Sequence, residues 1–101
     1  MIIYNITIKV DPSIKNDWLE WMITTHIPEV IATGCFEKYQ LSKILETDES
    51  DGFTFTIQYY TASLANYQKY LSNHSALIRK VLMDKWGEKF TAFRSVMEVV
   101  H

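Results

Sequence analysis

The chain is poor in cysteine, proline and glycine, with one, two and three of them in 101 residues. With Cys35 alone, no internal disulfide can form and no thiolate cluster can hold a metal. Three scattered glycines make no phosphate-cradling loop, and no serine sits in a nucleophile-elbow pattern. Positive charge is scarce too. Ten Lys and Arg against twelve Asp and Glu leave a net charge of −2, and the basic stripe of a nucleic-acid binder is missing. No apolar run approaches the roughly 20 residues of a membrane span. The first residues alternate apolar and polar with no basic segment before them, unlike a secretory leader. These absences predict a soluble cytoplasmic protein with no metal, no nucleic-acid partner and no membrane partner. What the chain does have is apolar and aromatic surface, at 48% and 14% of residues. That is enough for a core without staples in a single domain over residues 1–101.

Residues 2–10 alternate cleanly, with Ile2, Tyr4, Ile6, Ile8 and Val10 on one face and Ile3, Asn5, Thr7 and Lys9 on the other, the pattern of a strand. Asp11-Pro12 is a good helix start. The helix it opens is predicted to run to about residue 26, with Ile14, Trp18, Trp21, Met22 and Thr25 facing the core. Pro28 has no N–H for the Thr24 carbonyl, so the helix is expected to kink or restart there and end at Gly34. A second strand is expected over 36–46, with Tyr39, Leu41 and Leu45 on one face, then an acidic turn closing on Asp51-Gly52. A third strand follows over 53–61. Ser63 caps a helix from 64 to about 86, with room for a break near Ser72-Asn73. Its stripe reads Tyr67, Leu71, His74, Ile78, Val81 and Leu82, and Gly87 ends it. The last strand is expected over 90–100.

The order βαββαβ predicts an α+β, ferredoxin-like fold, a four-stranded antiparallel sheet with two helices on one face. The other face would carry Ile3, Asn5, Thr7, Thr54, Thr56, Gln58 and Tyr60, polar but mostly uncharged, and the last strand is apolar on both faces. Strands apolar on both faces are covered on both faces. A second copy of the chain is the expected cover, giving a twofold homodimer with sheets packed face to face.

Candidate chemistry is concentrated at residues 18–29, where Trp18, Trp21, Met22 and His26 precede Pro28. An imidazole at the edge of a buried stripe suits proton transfer. It equally suits a bond to a backbone carbonyl at a helix end. The tryptophans, Trp86 included, either fill core or stack on a ligand. His74, inside an apolar stripe, is either a satisfied core residue or a ligand. Arg94 stands in an otherwise apolar strand, where it pairs with Glu98 or a helix carboxylate, or binds an anion in a cavity. Glu29 is the one carboxylate close to His26, and the spacing matches no zinc pattern. Cys35 lacks an adjacent base, and His101 is terminal.

The opening Met1-Ile2-Ile3-Tyr4-Asn5-Ile6-Thr7, the block from Trp18 to Met22 with His26 to Val30 and Ala32 to Gly34, and the close Gly87 to Phe90 with Ala92-Phe93-Arg94 resemble the DUF4286 family. The resemblance spans nearly the whole chain. It implies the ferredoxin-like fold and membership of the dimeric α+β barrel group, and it implies no activity. One branch of that wider group degrades haem with an asparagine on the first strand and an aromatic and a histidine on the second helix. Asn5, Tyr67 and His74 would be the counterparts here. The aromatic is tyrosine rather than tryptophan, and its separation from His74 is about one turn short, so no haem or other cofactor is expected. The first functional expectation is a homodimer binding a small apolar or aromatic molecule between the first helix and the sheet. Trp18, Trp21 and Met22 would wall that site, His26 would give its polar contact, and Asn5, Tyr67, His74 and Arg94 are further candidates. A monooxygenase- or isomerase-type enzyme using His26 as acid or base is the alternative, and an interaction module with no ligand is the third.

Overall fold

Strand β1 (Ile2–Val10) occupies the stretch its alternation predicts and becomes a central strand. The computed structural model, which describes residues 1–101, pairs it antiparallel on both sides. On one side it meets β3 (Phe53–Thr61), from Ile2 opposite Thr61 to Val10 opposite Phe53. On the other it meets β4 (Phe90–Glu98), from Ile2 opposite Glu98 to Val10 opposite Phe90. Strand β2 (Lys38–Lys43) closes the far edge against β3, giving the order β2-β3-β1-β4. This is the expected ferredoxin-like arrangement. Two strands are shorter than expected. Phe36 is buried ahead of β2 rather than within it, and Leu45 lies exposed beyond its end, where Glu46 turns the chain at φ 59°. Strand β4 ends at Glu98, although the Val99 N–H still reaches the Met1 carbonyl at 2.9 Å.

The first helical run opens with Asp11, whose Oδ1 accepts from the Ser13 N–H at 2.8 Å and hydroxyl at 2.6 Å. A 3₁₀ turn (Pro12–Ile14) leads into α1 (Lys15–Trp21), then a widened π-type turn (Met22–His26), then α2 (Ile27–Ala32). The irregularity expected near Pro28 takes the form of this widened turn, after which the α-helix resumes at Ile27. The Ile27 N–H bonds back five residues to the Met22 carbonyl, and Ile27 stays helical at φ −61°, ψ −44°. The extra residue in the turn absorbs the missing proline donor, so the helix widens instead of stopping.

The second run is built the same way. Ser63 caps α3 (Leu64–Tyr70) by accepting from the Asn66 N–H at 3.2 Å. A widened turn (Leu71–Ser75) falls on the anticipated Ser72-Asn73, and α4 (Ala76–Trp86) ends at Gly87 with φ 57°. An inserted residue slips the phase of the inner face. Ser75 points inward, as do Tyr70 just ahead of the turn and Leu82 of the expected stripe, whereas Leu71 and Val81 of that stripe are exposed. The Ser75 hydroxyl satisfies the Leu71 carbonyl at 3.0 Å.

Both runs cover the sheet face that carries Tyr4, Ile6, Ile8, Val10, Phe55, Ile57 and Tyr59, and the core lies between these layers. Trp18 packs on Phe55 with ring centroids 5.2 Å apart. No helix is long and apolar enough to cross a membrane.

Candidate functional site

One cavity interrupts the layer between helices and sheet. Its apolar lining comes from Ile6 and Ile8 of β1, Ile57 of β3, Met22, and Ile78 and Leu82 of α4. Its polar lining is Tyr4, His26, Tyr70, Arg79 and Arg94. The local structure explains each polar position. The widened turn rotates His26 onto the inner face, where it is buried. Strand alternation places Arg94 beside Ile6, on the helix-covered face. Tyr70 closes α3 on the inner face just ahead of the widened turn, Arg79 follows the turn in α4, and Arg79 Nη2 donates to the Tyr4 hydroxyl at 3.2 Å. The cavity volume open to the centre of a water molecule is about 10 Å³. It is narrow, with room for about one water as it stands.

The polar groups are not satisfied. His26 Nδ1, Arg79 Nε and Arg94 Nε are all buried without a hydrogen-bond partner. Arg94 does not pair with Glu98. Four residues along a strand span roughly 13 Å, too far for an ion pair. The ion pairs present are Lys9–Asp51, Lys43–Glu49 and Lys80–Asp84, and none touches the cavity. No carboxylate lines it. Burial, and then the Arg94 charge, push the His26 pKa down to about 4, so the imidazole is neutral at pH 7. Burial also raises the Tyr70 pKa, with Tyr4 adding to the rise and both arginines opposing it, so the hydroxyl stays protonated. The Nδ1 atom meets no backbone carbonyl. The His26 ring instead lies against Trp21, centroids 5.0 Å apart.

Of the residues singled out in the sequence, Met22, His26 and Arg94 meet at this cavity. The others lie elsewhere. Trp18 is wholly buried against Phe55, outside the lining. Trp21 is half-buried on the outer side, edge-on to Trp86 at 5.9 Å, with Lys85 above both rings. Tyr67 tilts against the Tyr4 ring at 5.3 Å, and His74 stacks on Tyr70 at 6.3 Å. Asn5 faces the opposite side of the sheet, donating to Thr7 Oγ1 at 3.2 Å and Ser95 Oγ at 3.5 Å. Asn5 is thus separated by the sheet from Tyr67 and His74, and the three do not fit a haem. Tyr4, Tyr70 and Arg79 are the lining residues that the sequence reading missed. The signal for Arg79 was the Ser72-Asn73 interruption, which shifts the helical phase after it.

The family model for a domain of unknown function, DUF4286, matches residues 1–100. The chain belongs to the DUF4286 family. No curated protein matches it by sequence. Several solved structures share its fold. A dimeric ferredoxin-like protein from an uncultured marine organism superposes with a TM-score of 0.73 at 11% identity, over 100% of this chain and 96% of that one. An ethd family protein from Bacillus halodurans gives a TM-score of 0.68 at 19% identity, over 99% and 100% of the two chains. A cofactor-independent oxygenase from Streptomyces nogalater gives 0.63 at 8% identity, over 99% and 94%. At these identities the likeness is one of fold.

Proposed function

We propose that this DUF4286 chain is a homodimeric small-molecule-binding protein, with its ligand in the cavity between the first helical run, α4 and the sheet. The observation that carries the reading is that three lining residues, His26, Arg79 and Arg94, each hold a buried polar atom without a partner in a cavity otherwise lined by Ile, Leu, Met and Tyr. An unsatisfied buried polar atom costs about 1–3 kcal/mol. Keeping three in one place suits a site that gains its partners from a ligand. The apolar lining favours an apolar or aromatic molecule. In a fragment screen by NMR, shifts confined to Met22, Ile6, Ile78 and their neighbours are expected. Shifts scattered over the surface would reject the pocket.

The dimer rests on the open sheet face. Phe93 is 68% exposed there, and Met97 lies further along the same face of β4. The solved relative described as dimeric has the same fold. A twofold contact through this face would cover both residues. Light scattering is expected to give twice the chain mass, and Phe93→Asp to halve it. Cytoplasmic residence belongs to the same proposal, resting on the single free cysteine.

An enzyme using His26 as acid or base is the weaker reading. General acid–base catalysis works best with a pKa near the working pH, and that of His26 lies at about 4.

A further inference from the structure

We infer that the ligand of this cavity is an anion, a small apolar or aromatic carboxylate whose head group sits between Arg79 and Arg94. The inference rests on the pocket reading and adds the chemical class of the ligand. Two guanidinium groups, on α4 and β4, line one cavity, and each has a buried Nε donor without an acceptor. Neither has a carboxylate partner anywhere in the fold. Arg79 is held by the Tyr4 hydroxyl through Nη2, which leaves its Nε free. Guanidinium is a planar fork matched to the two oxygens of a carboxylate, and charge-assisted bonds of this kind are roughly twice as strong as neutral ones. Tyr70, protonated, adds a hydroxyl donor to the same lining. His26, neutral at pH 7, adds an imidazole that does not repel the arginines. Every charge facing the cavity is positive, so an anion is the one ligand class that both fills the donors and balances the charge. The narrowness limits the inserted part to a head group, with the rest of the molecule lying towards half-buried Ile78.

The test uses the full chain and two near-isosteric probes, benzoate and benzamide, read by thermal shift and by the Nε–Hε resonances of the arginines. Benzoate is expected to raise the melting temperature, to move the Arg79 and Arg94 signals, and to bind at least roughly tenfold tighter than benzamide. Arg94→Gln should remove that preference, and Arg94→Lys should restore part of it. If benzamide binds as well as benzoate at Met22 and Ile78, the anion inference fails and the pocket reading survives. If chloride gives the same stabilisation as benzoate and blocks it, the arginines hold a structural ion and the inference also fails. If neither probe, nor phenylacetate or hexanoate, perturbs the cavity residues, both readings fall together.

Discussion

The two helical runs carry the same interruption, a widened turn in mid-helix, and yet they pack differently. The first buries Trp18, Met22, Ile27 and Val30 almost completely, and its inner face is continuous with the sheet core. The second buries only Tyr70, Ser75 and Leu82, while Leu77, Val81 and Met83 face outward. The cavity opens where these two runs meet, bounded by the tight one at Met22 and His26 and by the loose one at Tyr70, Ile78, Arg79 and Leu82. The first run therefore acts as the anchor of the fold. The second forms the adjustable wall of the site, because fewer apolar contacts hold it.

The contrast is broken most severely at Trp18. Trp18→Ala should cost about 3–5 kcal/mol in denaturant unfolding, the range for emptying a large aromatic site in a packed core. A loss below about 1 kcal/mol would show that the first run is no anchor. A second effect appears on acidification. The folded pKa of His26, about 4, lies below its ordinary 6.5. The unfolded chain therefore binds a proton first, and stability present above pH 6.5 is lost as pH falls towards 4. The loss should approach about 3 kcal/mol. His26→Phe should flatten that part of the curve, as measured by urea midpoints across the range. Met22→Leu, nearly volume-conserving at the cavity edge, should change stability by less than about 1.5 kcal/mol. The smallest effect belongs to the outer surface of α4, where Leu77→Ser should stay within about 0.5 kcal/mol in the same assay. A large loss there would mean that a partner covers this helix.

How much of this was legible in the sequence depends on what each element needs. Strands β1 and β3 follow strict period-two patterns, which admit one register, and their bounds match the pattern. Strand β2 is an edge with mostly exposed side chains, so nothing in its composition marks where pairing stops. The widened turns are harder to read. Each inserts a residue without changing composition, and Tyr70 with Ser75 is as plausible an inner pair as Leu71 with His74. Pro28 signalled trouble in the first run at the right place, but a missing donor can be absorbed by widening as well as by breaking. In the site, Arg94 stood out as the lone positive charge of a largely apolar strand, and its neighbours in β1 follow from pairing. Arg79 and Tyr70 did not stand out, because the Ser72-Asn73 interruption does not say how far the phase shifts after it, and Tyr70 lies ahead of it.

The most direct measurement is the melting temperature at pH 7 of the double variant His26→Phe with Arg94→Met. If these buried, unpartnered groups are kept for a ligand, apolar replacements relieve their cost. The variant should then melt higher than the parent by at least about 4 °C, roughly 1 kcal/mol for a chain of this size. A melting temperature below that of the parent would show that His26 and Arg94 hold the fold together, and would contradict the assignment of the cavity as a binding site.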